Sequence, residues 1–316
     1  MTIERIPITS REQWLALRQK DVTASVVGAL FGVSQYKSHF DLFMEKTGNY
    51  EPPAPSEGVL RRGLVYEPVV ALMAAEKRPD WKITPAGEYL RDPDARLGAT
   101  PDFYVDGDPR GRGVMQVKTV AKRAFRDKWV DGVPPFWISL QTLTEAMLDG
   151  AAWGCVAAWI ISEFDEPSVE FFDVPRHEGV EARIRDAVAK FWDDVAAGRE
   201  PSPDYAKDAE LIARMYPEAQ PLKTIDLTGN NMLPTILPER AALKDQVAKA
   251  EARIKEIDAE VKFAMGDAEV AALPGYSITF KTQHRKGYEV KPTSFRALRI
   301  TGYQPHGGDI DDDRPF

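Results

Sequence analysis

The chain has 316 residues, 43% of them hydrophobic, which is enough apolar material for one large globular domain or two smaller ones and excludes a disordered chain. The formal net charge of -8 at pH 7 argues against general avidity for nucleic acid, because phosphate binding depends mainly on lysine and arginine. Any contact with nucleic acid must therefore come from a local basic surface.

Cysteine content and the amino terminus bear on where the protein works. The single cysteine, Cys155, lies in an apolar run and can form no disulfide within the chain. The first residues lack the basic and apolar regions of a secretory signal, and no run approaches the roughly 20 apolar residues of a membrane span. These features predict a cytoplasmic protein with no membrane partner.

The first fifty residues predict short helices. An apolar group around Trp14 marks one helix, and residues 41–48 predict another that ends at Gly48, a residue that readily closes a helix. Residues 21–25 begin with an aspartate and contain threonine and serine, a composition that predicts a helix start.

Residues 58–77 have a helix-like pattern that Pro68 interrupts. Proline lacks a backbone N–H and clashes with the preceding turn, so we expect a kink or a second helix at this point. Glu67 therefore lies at an irregularity, and its apolar neighbours disfavour full exposure of its side chain.

The pattern changes to short strands over residues 81–120. Residues 103–105 and 114–120 predict two strands, and the glycines and proline of 106–113 between them suit a hairpin loop. Further elements follow in the order helix, strand, strand, helix, with predicted bounds of 137–148, 153–161, 169–174 and 178–197. The order predicts a mixed α/β fold.

Composition also predicts the domain organisation. We expect a core over residues 1–200 and a proline-containing, irregular linker over 201–238. Residues 239–316 predict a long amphipathic helix followed by a small α/β extension, with strands at 276–280 and 288–290.

A cluster of basic residues lies around the predicted hairpin and is opposed by Asp127 alone. It consists of Arg110, Arg112, Lys118, Lys122, Arg123, Arg126 and Lys128. Such a concentration could line a phosphate-binding groove, and an ordinary solvated surface is the alternative.

Three residues of the hairpin predict a site. Alternate side chains of a strand share a face, so Gln116 and Lys118 point the same way. A hairpin through Gly107 would bring the Asp102 carboxylate to Gln116. Because Mg²⁺ prefers oxygen ligands, Asp102 and Glu67 could supply its carboxylates together with a substrate phosphate. The same spacing also occurs on hairpins that carry no site.

Separated motifs in a fixed order resemble those of a known family. They are residues 14–18, 22–25, 32–36, 63–67, 98–102 and 116–118, and Gln141 nine residues before Gly150. Together they resemble the YqaJ-like viral recombinase, or lambda-type exonuclease, family of the PD-(D/E)xK nuclease superfamily, over roughly residues 10–200. The resemblance implies a restriction-endonuclease-like core, with a central mixed sheet flanked by helices and a helical carboxyl-terminal extension.

The resemblance also implies roles for individual residues. Glu67 matches a helix-borne glutamate of the active site, Asp102 the metal-binding aspartate and Lys118 the catalytic lysine, which would orient or deprotonate the attacking water. Mg²⁺, with Mn²⁺ as a substitute, would be held by Glu67 and Asp102 with help from Gln116 and the backbone carbonyl of Val117.

Other matched residues would bind the substrate. Arg18 and Ser25 would hold a 5′-terminal phosphate, and Gln141 would contact phosphate or the attacking water. The alternatives are a surface ion pair at Arg18 and simple exposure of Gln141. Two positions depart from the family: Gln116 replaces the usual glutamate, and the common Gln-x-Gln ends in Leu143.

These inferences predict a metal-dependent exonuclease that digests linear double-stranded DNA from 5′ to 3′ in phage or prophage recombination. The resemblance implies DNA ends as the substrate, a single-strand annealing protein as a partner and a ring-like homotrimer. An endonuclease of restriction or structure-specific type remains an alternative. A DNA-end-binding module, in which Gln116 marks a weakened site, is another.

Overall fold

The computed structural model describes residues 2–53, 57–162, 166–287 and 296–300. Contacts divide the chain into two compact units, Met1–Tyr216 and Pro217–Phe316. The strands of the first unit are β1 (Glu4–Pro7), β2 (Val22–Thr23), β3 (Lys82–Pro85), β4 (Glu88–Asp92), β5 (Leu97–Ala99), β6 (Phe103–Asp106), β7 (Gly113–Ala121), β8 (Trp153–Ile161) and β9 (Val169–Pro175). Its helices are α1 (Arg11–Lys20), α2 (Val27–Leu30), α3 (His39–Lys46), α4 (Glu57–Lys77), α5 (Lys122–Lys128), α6 (Phe136–Asp149), α7 (Glu178–Ala196) and α8 (Ala209–Met215). The second unit contains α9 (Leu233–Met265), β10 (Val270–Leu273) and β11 (Tyr276–Thr279).

A five-stranded mixed sheet forms the centre of the first unit. Its strand order is β3-β6-β7-β8-β9, with β7 and β8 parallel and the other neighbours antiparallel. The β7–β8 pairing runs from Gly113 opposite Trp153 to Ala121 opposite Ile161. Because β8 is covered on both faces, it is an almost continuous apolar run rather than an alternating one. The predicted mixed α/β class is confirmed.

Helices cover the two faces of this sheet. On one face, Cys155 and Ala157 of β8 pack in a cluster with Val70 and Ala74 of α4. On the other, Val156 and Ala158 pack in a second cluster with residues of α6, among them Leu143. The alternation along each strand therefore decides which residues face α4 and which face α6.

A second, four-stranded sheet has the order β1-β4-β5-β2 and carries a buried polar group. Asp21 is fully buried, and its carboxylate accepts hydrogen bonds from the Tyr89 hydroxyl at 3.1 Å and from Arg91 Nε at 2.9 Å. The Tyr89 ring crosses Gly98 of β5, where an added Cβ would lie 1.9 Å from the hydroxyl oxygen. Only glycine fits at this point, which is the first residue of the 98–102 motif.

Substituting Gly98 tests this close approach. Gly98→Ala is expected to lower the free energy of unfolding by at least ~2 kcal/mol, because the held Tyr89 ring must shift. Gly58→Ala is the matched control: an added Cβ there meets no atom within 4 Å, so its stability should stay unchanged or rise slightly. Denaturant unfolding monitored by circular dichroism measures both, and equal stabilities of the two variants would contradict the packing described.

Most predicted elements of the first unit are confirmed, with two corrections. Residues 21–25 are not a helix start, because β2 pairs in parallel with β5 there and a 3-10 turn, Ala24–Val26, follows. Of the two alternatives expected at Pro68, the second helix is wrong, because Pro68 lies inside the single helix α4. The strand β1 and the helix α5 are additions to the predicted set, while β3, β4 and β5 are short strands within the predicted range of 81–120.

Contacts divide the chain into its two units after Tyr216. Helix α8 lies within the predicted linker of 201–238, and Leu211 in it is buried in the core of the first unit. The division into domains of 1–200, 201–238 and 239–316 stays a prediction. Helix α9 begins at Leu233, before the predicted residue 239, and β10 and β11 form an antiparallel hairpin. The predicted strand at 288–290 lies outside the described residues. No helix in the described part of the chain has the length and apolar character needed to cross a membrane.

Candidate active site

Asp102 lies between β5 and β6 and faces the middle of β7. One of its carboxylate oxygens, Oδ2, accepts the Val117 backbone N–H at 2.8 Å and a hydrogen bond from the Gln116 side-chain amide. The hairpin thus brings Asp102 to Gln116, as its predicted geometry requires. Burial raises the pKa of Asp102, while Lys118 and the two hydrogen bonds oppose the shift.

The Gln116 amide is buried and held in a defined orientation. Its nitrogen donates to Asp102 and, at 3.3 Å, to the backbone carbonyl of Val117. Its oxygen accepts a hydrogen bond from Gln141 Nε2 at 2.8 Å. In this orientation the amide oxygen faces α6 rather than Asp102. An oxygen that binds the predicted metal would instead lie on the same side of the site as the Asp102 carboxylate.

Gln141 connects the strand residues to the helix that covers them. Its side-chain oxygen accepts a hydrogen bond from Lys118 Nζ at 3.2 Å, while its nitrogen donates to Gln116 and to Glu145. Gln141 is only 8% exposed, so the alternative of simple surface exposure is wrong. The side chain fixes both Gln116 and Lys118.

Glu145 was not among the predicted site residues. It is 1% exposed, its Oε1 accepts from Gln141 Nε2 at 2.9 Å, and its Oε2 has no hydrogen-bond partner in the described residues. Burial, and secondarily Asp102, raises its pKa well above the usual range. Its signal in the sequence is modest: it is the one charged residue of α6 before Asp149, one helical turn after Gln141.

Glu67 lies on α4 and faces the same group of charges. Burial raises the pKa of Glu67 to about 7, Asp102 adds to the shift and Lys118 opposes it. Glu67, Asp102 and Glu145 therefore all have raised pKa values, and Lys118 is the cation that opposes each of these shifts. A site with this excess of carboxyl groups favours an added cation.

The donor set can be compared with the needs of a metal ion. No cluster of three or more histidine, cysteine, aspartate or glutamate side chains with metal-binding geometry occurs in the described residues. Mg²⁺ commonly uses one or two carboxylates and completes its shell with water and substrate phosphate. The carboxylates of Glu67 and Asp102, with the Val117 carbonyl nearby, fit that mode of binding.

Arg18 and Ser25 lie together, as predicted. Arg18 donates a hydrogen bond to the Ser25 hydroxyl at 3.0 Å, and its guanidinium stacks 4.5 Å from the Trp14 ring centroid. Trp14 in turn donates to the Thr100 hydroxyl, two residues before Asp102, at 3.0 Å. This contact ties α1 to the turn that carries Asp102. The predicted alternative, a surface ion pair at Arg18, has no counterpart among the ion pairs described for the chain.

The predicted basic cluster separates into two groups. Arg110 binds Asp108 at 2.8 Å and Asp173 at 3.0 Å, and Arg112 lies 3.4 Å from Asp149. The neighbouring Asp108 and two carboxylates distant in sequence therefore neutralise these two arginines, which precede β7. Lys118 and the basic residues of α5 lie after them along the chain and form the remaining group.

Comparisons with known proteins agree with the motif order. Residues 13–141 match the family model of the YqaJ-like viral recombinase domain. This region is similar to that domain. The chain is also 24% identical over 275 residues, or 86% of its length and 83% of the relative's, to the uncharacterized protein YqaJ of Bacillus subtilis strain 168. The predicted family resemblance is confirmed.

Solved structures give weaker likenesses. An alkaline exonuclease, LHK-Exo, from Laribacter hongkongensis is 22% identical with a TM-score of 0.48, and the match covers 64% of this chain and 98% of the exonuclease. LHK-Exo in complex with dAMP gives a TM-score of 0.47 at 22% identity, covering 63% and 99% of the two chains.

The region that matches the family model contains every site residue predicted from the sequence. It extends from just before Trp14 to Gln141. Glu145 lies four residues beyond the matched region, on the same helix as Gln141. The hydrogen-bonded group around Asp102 therefore extends past the family match.

Proposed function

We propose that the chain is a metal-dependent deoxyribonuclease that hydrolyses phosphodiester bonds from an end of linear double-stranded DNA. The observation that carries the proposal is the pair of carboxyl groups, Glu67 and Asp102, whose raised pKa values are opposed by Lys118. A divalent cation and a phosphate would complete such a site. The match to a viral recombinase domain supports DNA as the substrate.

The side chains have distinct tasks in this proposal. Mg²⁺, or Mn²⁺ in its place, would lower the pKa of the attacking water and stabilise the departing oxygen. Asp102, held by the Val117 N–H, and Glu67 would bind that ion, with the Val117 carbonyl as a further oxygen ligand. Lys118, held by Gln141, would orient the water and offset negative charge that develops on the phosphate.

Arg18 and Ser25 would receive the 5′-terminal phosphate, giving digestion from 5′ to 3′. Burial lowers the pKa of the Arg18 guanidinium, and the charge of Glu45 opposes this shift. The direct contacts described for the guanidinium are with a hydroxyl and an aromatic ring. A partly desolvated arginine of this kind attracts an anion strongly. In phage or prophage recombination within a bacterial cytoplasm, the exposed single strand would pass to an annealing protein, and a homotrimer would encircle the duplex.

Arg18→Ala is expected to lower the preference for 5′-phosphorylated over 5′-hydroxyl ends by at least ~10-fold. The reason is that the variant loses the charge-assisted hydrogen bond that the guanidinium would donate to the terminal phosphate. The measurement compares initial hydrolysis rates on the two duplexes. Arg11→Ala, which changes an exposed arginine of the same helix, should keep the wild-type preference. An unchanged preference in Arg18→Ala would reject this phosphate site.

The topology of the substrate tests the exonuclease proposal. Linear duplex with 5′-phosphates and covalently closed circular duplex are each incubated with the chain and Mg²⁺ or Mn²⁺. We expect digestion of the linear DNA and survival of the circle. Nicking or linearisation of the circle would instead identify an endonuclease of restriction or structure-specific type.

The orientation of Gln116 favours a second candidate, a module that binds DNA ends without cutting them. The Gln116 amide nitrogen donates to Asp102, and the residue lacks the negative charge of the usual glutamate. A metal would therefore be held less tightly. Binding of DNA ends in EDTA, without hydrolysis at any concentration of Mg²⁺ or Mn²⁺, would support this candidate and reject the nuclease.

A further inference from the structure

A cleft of about 220 Å³ opens beside Lys118, between β7, α5 and the beginning of α6. Its walls combine aromatic rings with lysine side chains; the residues that carry the argument are Gln35, Tyr36, Lys118, Lys128, Trp129 and Trp137. Its volume is smaller than the roughly 300–1,000 Å³ of typical small-molecule pockets, so it suits a single planar ring system rather than a whole cofactor.

The aromatic wall is built by a close approach of two helices. An added Cβ at Gly28 of α2 would lie 2.9 Å from the Cβ of Trp137, so glycine allows Trp137 to reach its position. Tyr36 stands edge-on to Trp137, with ring centroids 5.5 Å apart and an interplanar angle of 85°. The two rings form one corner of the cleft.

Tyr36 is held in place although its side chain is exposed. The buried Ser34 hydroxyl accepts the backbone N–H groups of Tyr36 at 3.3 Å and Lys37 at 3.2 Å, which fixes the turn. Tyr36 is nevertheless 75% exposed, so its ring contributes little to the packed core. A fixed and exposed aromatic ring beside a proposed catalytic group is suited to stacking on a ligand.

Two lysines give the cleft positive charge. Lys118 Nζ lies 6.0 Å from the Trp137 ring centroid, so the same ammonium faces both the Asp102 group and the cleft. Lys128 Nζ donates a hydrogen bond to the Gln35 side-chain oxygen at 2.7 Å. Because that partner is neutral, the charge of Lys128 is available to an anion at the rim.

We propose that this cleft is a nucleobase subsite, in which the exposed Tyr36 ring stacks on the base next to the scissile phosphate, the perpendicular Trp137 ring contacts the edge of that base and Lys128 contacts a neighbouring phosphate. The proposal rests on the nuclease function, because Lys118 then places the reacting phosphate at the mouth of the cleft. Stacking recognises the face of a base and so tolerates any sequence, which suits an enzyme that removes successive nucleotides.

The test is a double-mutant cycle of binding in EDTA, which needs no hydrolysis. A fluorescent 5′-phosphorylated duplex carries either ordinary terminal nucleotides or abasic ones, and anisotropy gives Kd for the wild-type protein and Tyr36→Ala. We expect Tyr36→Ala to weaken binding of the ordinary duplex by about 5- to 150-fold, the equivalent of one stacked base. Binding of the abasic duplex should be the same for both proteins.

Two further variants separate stacking from general damage. Tyr36→Phe keeps the ring and should bind like the wild type. Tyr205→Ala, at a tyrosine that is 76% exposed and does not line the cleft, should also leave Kd unchanged. A wild-type protein that binds ordinary and abasic ends equally, or a loss in Tyr36→Ala that is the same on both duplexes, would overturn the proposal. A protein that binds DNA ends as expected but does not hydrolyse DNA would reject the nuclease function, while the binding measurements would still test the nucleobase subsite.

Discussion

Lys118→Ala is expected to lower the rate of metal-dependent DNA hydrolysis by about 100-fold or more. The Lys118 ammonium is the cation that opposes the raised pKa values of Glu67 and Asp102, and Gln141 fixes it at 3.2 Å. Removing it leaves the attacking water without an orienting group and the reacting phosphate without compensating charge. The rate of nucleotide release from a linear duplex at saturating Mg²⁺ measures the effect.

The control variant must remove one positive charge from a side chain that does not contact the site. Lys190→Ala serves this purpose, because Lys190 lies on α7, outside the basic cluster, with 73% of its side chain exposed. Its rate should stay within about 3-fold of the wild type at moderate salt, where exposed charges are largely screened. Equal rates for Lys118→Ala and the wild type would remove Lys118 from the mechanism.

Glu67→Gln is expected to raise the stability of the metal-free protein while weakening its binding of Mn²⁺. Burial and Asp102 raise the pKa of Glu67 from 4.5 to about 7, so its charged form is unfavourable in the folded state. The wild type therefore keeps its full stability below about pH 4.5 and loses part of it as pH rises through 7. Glutamine has no charge to bury, and the variant avoids this loss.

Thermal unfolding in EDTA at several pH values measures the difference. At pH 8 we expect the free energy of unfolding of the variant to be higher by about 1–2 kcal/mol. This figure is below the one that the full pKa shift would give, because solvent screens a half-buried carboxylate. At pH 4.5 the two proteins should be equally stable. Adding Mn²⁺ should stabilise the wild type more than the variant. A variant that is less stable at pH 8, or that binds Mn²⁺ as tightly, would show that Glu67 has a purely structural role.

Local rules were sufficient for the hairpin that carries the site. The two-residue period of a strand places Gln116 and Lys118 on one face, and both contact Gln141 in the structure. The turn residues around Gly107 indicated a hairpin, and its antiparallel pairing brings Asp102 to Val117. Both arguments depend on neighbours in sequence, which a sequence shows directly.

Contacts between segments that are distant in sequence could not be predicted in the same way. Strand β2 has two residues and forms only by pairing with β5, more than seventy residues later, so the sequence around Asp21 looked like a helix start. The orientation of the Gln116 amide depends on Gln141 and Glu145 on another element. The corner of Tyr36 and Trp137 depends on how α2 approaches α6.

Gln116 has a more specific role than the sequence indicated. The family resemblance implied that Gln116, in place of the usual glutamate, would help to hold Mg²⁺. In the structure the amide nitrogen faces Asp102 and the oxygen is occupied by Gln141, while Glu145 places a carboxyl group behind them. Metal binding at the proposed site would therefore depend chiefly on Asp102 and Glu67.

Hydrolysis of a linear, 5′-phosphorylated duplex over a titration of Mg²⁺, by the wild type and by Asp102→Asn, tests the account most directly. Asparagine keeps an oxygen for the Val117 N–H but lacks the charge that would hold a metal. We predict that the wild type digests the duplex only when the metal is present and that the variant is inactive or requires far more metal. Digestion by the wild type in EDTA, or indistinguishable titrations for the two proteins, would contradict a metal-dependent nuclease centred on Asp102.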